Sequence, residues 1–228
     1  AEQLAPGAES DAVVWADVVQ RAYEESQLTW AFSTFMVFAT LIAGIGIVLD
    51  STILLIGAMV LGPEFGAVAA LGIGLVRRRP SLLRHALVAL AAGFTAAVLA
   101  TSAVFAVGRW LGWVAAADIA TKRDSTAFIY QPDRWSVLVA LIAGGAGVLA
   151  MTSAKAGGLT GVFISVTTIP AAANVAAALP FGLWSEVRGS LLQLAVNVAG
   201  MAAAGWLTLV IQTRVWAEVR RRHPFHRR

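Results

Sequence analysis

The chain has 228 residues, of which 58% are hydrophobic and only 13% are charged. A soluble domain carries roughly a quarter charged residues, because polar side chains must cover its surface. The composition therefore excludes an ordinary water-soluble protein and indicates a chain that turns apolar surface toward lipid. Cysteine is absent, which excludes disulfides, thiolate metal sites and cysteine nucleophiles.

A short amphipathic helix is predicted near the N-terminus, within a polar segment of residues 1–27. Val18 and Ala22 fall on one face of this helix, whereas Glu24 and Glu25 fall on the other. An acidic face disfavours docking on anionic lipid. We therefore expect the helix to pack on its own protein or on a partner subunit.

The membrane domain, residues 28–215, is predicted to cross the bilayer about six times. A helix rises about 1.5 Å per residue, so about 20 apolar residues cross the hydrocarbon. Tryptophans lie at most ends of the predicted segments, as is typical of the membrane interface. The segments are about 30–49, 52–76, 82–107, 135–152, 159–179 and 191–215. The predicted fold class is all-α, a polytopic membrane protein.

Basic residues predict the orientation of the chain in the membrane. Arg77, Arg78 and Arg79 follow the second segment, and a basic tail, residues 216–228, follows the sixth. Six crossings put both clusters on the same side as the N-terminus, and the positive-inside rule makes that side cytoplasmic. We interpret the tail as a determinant of this topology rather than as a nucleic-acid-binding or metal-binding segment.

Two halves of the membrane domain share the same order of features. The tetrapeptide Leu-Ile-Ala-Gly occurs at residues 41–44 and 141–144, and a segment interrupted by Pro63 or Pro170 follows each copy. Three crossings per half is an odd number, so the halves are predicted to be inverted repeats, a common plan of secondary transporters. Gene duplication also builds symmetric membrane proteins that transport nothing. The predicted repeats are about 28–110 and about 134–215.

Glu64 is the most informative residue of the sequence, because it follows Gly62 and Pro63 midway along an apolar segment. Proline removes a backbone donor and leaves carbonyl groups free. A carboxylate at this depth costs several kcal/mol unless it is protonated, paired or wet. Two interpretations stay open: a group that couples transport to protons or cations, and a protonated carboxyl that hydrogen-bonds across an oligomer interface.

Polar residues also surround Pro170 and continue on the last segment. The residues are Ser165, Thr167, Thr168, Asn174 and Asn197. If the repeats face each other, these groups and Glu64 converge near the midplane. The alternative is that the hydroxyl groups bond back to their own helix and that Asn197 joins two helices.

Several runs of residues occur in a recognisable order, namely 43–51, 56–63, 144–147, 161–165 leading to Pro170, and Asn197. Taken together they resemble a bacterial membrane family catalogued as domain of unknown function 389. The resemblance covers about residues 28–213 and implies a six-helix fold in a bacterial inner membrane, but no activity. Much of that family carries apolar residues after the proline, where this chain has Glu64. A role for Glu64 would therefore be limited to a subgroup of the family.

The leading hypothesis is an inner-membrane transporter or channel for a small solute or ion. The expected pathway residues are Gly62, Pro63, Glu64, Gly66, Ser165, Thr167, Thr168, Pro170, Asn174 and Asn197. The alternative is a structural or signalling membrane protein that recruits a partner through its N-terminal helix. No zinc-binding motif, nucleophile elbow or carboxylate pair is present, so an enzyme is not expected, nor is a cofactor, metal or nucleic acid. Small residues at four-residue spacing favour a homo-oligomer.

Overall fold

The computed structural model describes residues 15–120, 129–130, 133–152 and 168–222. All regular structure in these residues is helical, as the sequence predicts. The helices are α1 (Trp15–Glu25), α2 (Trp30–Val48), α3 (Thr52–Leu61), α4 (Glu64–Val76), α5 (Pro80–Trp110), α6 (Ala116–Ala120), α7 (Arg134–Thr152), α8 (Thr168–Ala178) and α9 (Trp184–Arg222). A 3-10 turn, Leu179–Phe181, links α8 to α9.

Three of the described helices, α2, α5 and α9, are long and apolar enough to cross a membrane. The pair formed by α3 and α4 is a fourth candidate if the two helices, which are bent by 57° at their break, make one span. Helices α7 and α8 are apolar but shorter. The described residues thus contain three or four candidate spans where the sequence predicted six. The first part of the predicted fifth span, residues 159–167, lies outside them.

The break between α3 and α4 follows from Gly62 and Pro63. The residue before a proline is pushed toward extended backbone, and Gly62 has φ −66° and ψ 123° at the end of α3. Pro63 then occupies the cap position before α4, where its missing N–H costs no helical hydrogen bond. Pro170 lies in α8, two residues after its first described residue, Thr168, and the preceding part of the predicted fifth span lies outside the described residues.

The last helix begins at Trp184, seven positions before the predicted start of the sixth span. Gly182 takes a left-handed conformation with φ 67°, which ends the preceding turn. The chain then enters α9 almost at once. As a result, Glu186 and Arg188 belong to the first turns of a helix instead of a loop.

Contacts along α5 fix the directions of the central helices. A short turn at residues 77–79 joins α4 to α5, so these two helices are antiparallel. Helix α8 runs in the same direction as α5, because Ser102 donates to the carbonyl of Ala176 and Arg109 donates to that of Pro180, farther along both helices. Helices α4 and α8 therefore run in opposite directions.

The remaining long helices follow the same two directions. Helix α9 turns back along α8 and so runs parallel to α4. Helix α2 runs with α5, since Phe32 packs against Gly93 and Phe105 packs against Gly44. Helix α7 runs with α9 in the same way. Helices α2 and α7, like α5 and α9, are therefore oppositely directed.

Three pairs of helices begin 104 positions apart in the sequence. The starting residues are Trp30 and Arg134, Glu64 and Thr168, and Pro80 and Trp184. Contacts recur at the same spacing: Gly44 lies against Thr101, and Val148 lies against Gly205. The Leu-Ile-Ala-Gly tetrapeptide recurs after 100 positions, which is about one helical turn short of the spacing of the helices.

Helices α4 and α8 form the centre of the described structure. Every residue of α4 from Glu64 to Gly74 is buried, and so is every residue of α8. Their Ala- and Gly-rich sequences allow this, because small residues let neighbouring backbones approach closely. The outer helices expose many large apolar side chains, as a lipid-facing surface requires.

The N-terminal helix α1 packs on its own chain. Val18, Val19 and Ala22 are buried in the core formed with α4 and α5. The hydroxyl groups of Tyr23 and Ser81 are hydrogen-bonded at 2.7 Å. The apolar face of α1 is therefore covered by the membrane domain, which is one of the two partners that the sequence allowed.

Candidate functional site

The candidate site is the contact between α4 and α8. Glu64 is the first residue of α4, and Thr168 is the first described residue of α8. Thr168 Oγ1 donates a hydrogen bond of 2.5 Å to Glu64 Oε1. Glu64 is 1% exposed and Thr168 is fully buried. Because the two helices run in opposite directions and touch at these residues, they lead away from one buried polar contact.

The second carboxyl oxygen of Glu64 has no hydrogen-bond partner among the described residues. It occupies space that a side chain at position 62 would take, since a Cβ added to Gly62 would collide with Oε2. The same Cβ would lie 2.8 Å from Ile169 Cγ1, on the facing helix. Gly62 therefore leaves room for the carboxyl group and for Ile169 of α8.

Contacts between α8 and α9 show which part of α9 lies beside this point. Asn174 Nδ2 donates to Glu186 Oε2 at 2.9 Å and to Ser190 Oγ at 2.8 Å. Thr168 precedes Asn174 by six residues, or about 9 Å along the helix. Since α8 and α9 are antiparallel, the start of α8 lies opposite about residue 194 of α9.

Contacts between α4 and α9 lead to the same place. A Cβ on Gly72 would lie 3.1 Å from the backbone of Trp206 and 3.2 Å from that of Gly205. Glu64 precedes Gly72 by eight residues, or about 12 Å. Since α4 and α9 are parallel, the start of α4 lies opposite about residue 197. Two independent estimates thus place residues 193–197 at the height of the site.

Two buried amides occupy this stretch of α9. Gln193 Nε2 donates to Asn197 Oδ1 at 3.3 Å, and both side chains are fully buried. Gln193 Oε1 and Asn197 Nδ2 have no partner among the described residues. Buried polar groups are normally satisfied, so one acceptor and one donor at the height of Glu64 are available to a water molecule or a ligand.

Asn174 belongs to a separate polar cluster with Glu186 and Ser190, at the end of the bundle where α8 turns into α9. Positions 104 residues earlier are occupied by apolar side chains of the core, namely Ala70, Leu82 and Ala86. The packing of these helices therefore does not require polar groups there. This polar cluster is a feature of the second half of the chain alone.

The predicted site residues thus divide into three groups. Gly62, Pro63, Glu64 and Thr168 come together, with Asn197 at the same height. Pro170 follows Thr168 by two residues in α8. Gly66 and Asn174 have other contacts, since Gly66 is packed against Glu25 and Asn174 bonds to α9. Ser165 and Thr167 lie outside the described residues.

Four polar residues near these sites were not among the predicted pathway residues, namely Glu25, Glu186, Ser190 and Gln193. Glu25 of α1 lies against Gly66, with its Oε2 2.7 Å from where a Cβ would stand. Desolvation raises the pKa of the Glu25 carboxyl, with a smaller contribution from Glu24. Glu186 and Ser190 looked like residues of a loop, because the sixth segment was placed too late in the sequence. The amphipathic pattern of α1 placed Glu25 on the face opposite Val18 and Ala22, so its contact with Gly66 of the membrane domain was not predicted.

Charges on the surrounding helices lie mostly far from the site. The helices α2, α3 and α8 carry no charged residue. On the described parts of α5, α7 and α9, the ionisable residues lie outside the central stretches that flank the site; they are Arg84, His85, Arg109, Arg134, Glu186, Arg188, Arg214, Glu218, Arg220, Arg221 and Arg222. Within the described structure, Glu25 of α1 is a charged neighbour, packed against Gly66 two positions after Glu64. Among the described residues, no three His, Asp or Glu side chains come together as a metal site would require.

These features define an all-helical protein of membrane type, in which the longest helices are apolar and the polar groups are buried between them. The chain belongs to the family described as domain of unknown function (DUF389), whose model matches residues 59–203. The match confirms the resemblance seen in the sequence and includes both Glu64 and Thr168. Comparison with curated proteins and with solved structures finds no match.

Proposed function

We propose that this chain is a bacterial inner-membrane transporter or channel that carries a small solute or ion past Glu64. The observation that supports this most directly is a buried carboxyl group at the start of α4, with one oxygen bonded to Thr168 of α8 and the other without a partner among the described residues. Such a group is costly in an apolar interior. Broken helices with exposed ends near the midplane are a common way to build a transport site.

The proposal includes two inverted repeats related by a pseudo-twofold axis through the Glu64–Thr168 contact. Glu64 and Thr168 are themselves 104 positions apart, the spacing of the paired helix starts. The contact of Gly72 with Trp206 has a counterpart 104 positions away, the contact between Ala176 and Ser102. Oppositely directed helices at a constant spacing are what an inverted duplication produces.

Other parts of the proposal concern the setting of the site. We place both termini in the cytoplasm on the basis of the arginine clusters and expect a homo-oligomer, because six helices enclose little space. We expect no enzymatic reaction. The alternative, a scaffold that recruits a partner through α1, is less well supported, since the apolar face of α1 is covered by α4 and α5.

The experiment is cysteine accessibility, for which the absence of native cysteine gives a clean background. We expect the thiol of an Asn197→Cys variant to react with a small, charged, membrane-impermeant reagent added to one side of a vesicle. The physical reason is that a transport pathway brings water to the unpartnered amide. Reconstituted wild-type protein should also raise the ion permeability of vesicles above that of protein-free vesicles.

Two further variants serve as controls for this labelling. Ala43→Cys places a thiol on the buried face of α2, within the apolar core, and should stay unreactive, whereas Asp118→Cys in the short helix α6 should react readily. An Asn197→Cys thiol that is as protected as the one at Ala43, from both sides and in every condition, contradicts a wet pathway and favours a packed scaffold.

A further inference from the structure

The turn that joins α4 to α5 and the turn that joins α8 to α9 have the same backbone. Each contains a left-handed residue, Arg78 with φ 49° and Gly182 with φ 67°, and these two residues are 104 positions apart. In both turns this residue donates its N–H to the carbonyl three positions earlier, and the next residue donates to the carbonyl five positions earlier. This pattern is typical of a helix that ends at a glycine.

The two turns differ in which residue takes the left-handed conformation. Glycine does so without steric cost, whereas the Cβ of other residues approaches the following carbonyl oxygen. Asp50 is the other non-glycine residue with a positive φ in the described part of the chain, and its short polar side chain tolerates that backbone. Arg78 has no such excuse of size. The first turn therefore accepts a strain that glycine would avoid, in favour of a cationic side chain.

Two ordinary reasons for a cation in this turn do not account for position 78. The turn lies between the C-terminal end of α4, which favours positive charge, and the N-terminal end of α5, which disfavours it. The positive-inside rule needs basic residues near the end of a span but at no particular position, and Arg77, Arg79 and Arg84 already supply them. A further cation at a strained position indicates a contact of its own.

The surroundings of the turn indicate the ligand. Arg78, Arg79 and Arg84 are exposed. Exposed apolar side chains lie on both sides of them in the sequence, Leu75 near the end of α4 and Leu87 in α5. Neighbouring basic and apolar side chains are typical of the boundary between lipid tails and headgroups. A guanidinium group also matches a phosphate group with two parallel N–H donors.

We propose that the turn at residues 77–79 binds the phosphate headgroup of an anionic phospholipid, and that Arg78 makes the contact that fixes the headgroup there. The lipid tails lie along the apolar surface that includes Leu75 and Leu87. The turn at residues 179–183 contains no basic residue and should not bind the lipid. This inference goes beyond the proposed function and holds whether or not the chain carries a solute.

The test is thermal unfolding of the purified full-length chain in detergent mixed with phosphatidylglycerol, which is anionic, or with phosphatidylcholine, which is zwitterionic, at equal mole fraction and ionic strength. Phosphatidylglycerol should give the wild type the higher Tm, because a ligand of the folded state stabilises it. Arg78→Gly should raise the Tm in phosphatidylcholine by roughly 2–4 °C, since it relieves the strained backbone. The same variant should bind phosphatidylglycerol about fivefold more weakly, the contribution of one arginine near an anionic surface.

Two further variants control for net charge and for the shape of the cation. Arg134→Gln removes an exposed cation at the start of α7, at the opposite end of the bundle, and should keep the full response to phosphatidylglycerol. Arg78→Lys keeps the charge but loses the planar group with its parallel donors. Its affinity for phosphatidylglycerol should lie between those of the wild type and Arg78→Gly.

Three results would overturn the inference. They are equal Tm values of the wild type in the two lipids, a loss of response in Arg134→Gln as large as in Arg78→Gly, and a lower Tm of Arg78→Gly in both lipids. The last result would show that the arginine pairs with acidic residues of its own chain instead. Labelling of the Asn197→Cys thiol is independent of all three, so failure of this inference is distinguishable from failure of the proposed pathway.

Discussion

Replacing Thr168 by valine measures the energy of the central contact. The substitution keeps the shape of the side chain and removes the hydroxyl group that donates to Glu64 at 2.5 Å. The other carboxyl oxygen has no partner among the described residues, so the valine variant leaves the whole buried group unsatisfied. A hydrogen bond to a charged group contributes about 1.5–3 kcal/mol. We expect a loss of about 2 kcal/mol, which lowers Tm by roughly 4–8 °C in a chain of this size.

Thr101 provides a matched control for this substitution. It is as deeply buried as Thr168, but its hydroxyl has no partner among the described residues. Thr101→Val removes an unsatisfied polar group and should leave stability unchanged or raise it. Thermal unfolding in detergent, followed by tryptophan fluorescence, compares the two variants.

A double-mutant cycle with Glu64→Met isolates the pairwise energy, because that substitution removes the acceptor while keeping most of the volume. Groups in direct contact typically show coupling of about 0.5–3 kcal/mol. Equal effects of valine at Thr168 and Thr101, together with zero coupling between Thr168 and Glu64, would refute the reasoning about the contact.

Three other predictions concern close packing and pH. Gly62→Ala should destabilise the protein in thermal unfolding, because its Cβ would collide with the buried carboxyl, whereas Gly57→Ala, with nothing within 4 Å of the added atom, should be neutral or stabilising. Gly144→Ala should destabilise the protein more than Gly145→Ala, since only the former drives Cβ into the backbone of α9; equal Tm values would contradict this packing. The raised pKa of Glu25 means that its ionisation costs stability as pH rises. Glu25→Gln should therefore have a higher Tm than the wild type at pH 8, and the difference should shrink as pH falls through the raised pKa and vanish below the ordinary pKa of a glutamate.

The broken helix and its buried acid could be predicted because both signals are local. A proline fixes its own backbone and that of the residue before it, and a carboxyl in an apolar run is conspicuous wherever the chain goes. Pro63 and Glu64 therefore stood out from the sequence, and the structure places them at the break between α3 and α4. The residue that meets the acid was only one of several polar candidates near Pro170.

The choice among those candidates depends on how helices pack, which short-range patterns do not encode. Asn174 bonds to Glu186 and Ser190 because of the register between α8 and α9, and a small change in that register would give it different partners. For a related reason, the spacing of the Leu-Ile-Ala-Gly tetrapeptide is four positions shorter than the spacing of the paired helices. Residues four apart on a helix share a face. In a chain rich in Ala, Gly and Leu, a short identical run can therefore occur one helical turn away from the structurally equivalent position with little change in pattern.

In the proposed inverted repeats, Glu64 and Thr168 hold corresponding positions on helices that point to opposite sides, yet one is an acid and the other an alcohol. A solute that enters the proposed pathway from one side would therefore meet the acid-bearing helix differently from a solute that enters from the other. Exchanging the pair, by combining Glu64→Thr with Thr168→Glu, would keep the bond and turn the polarity of the centre around.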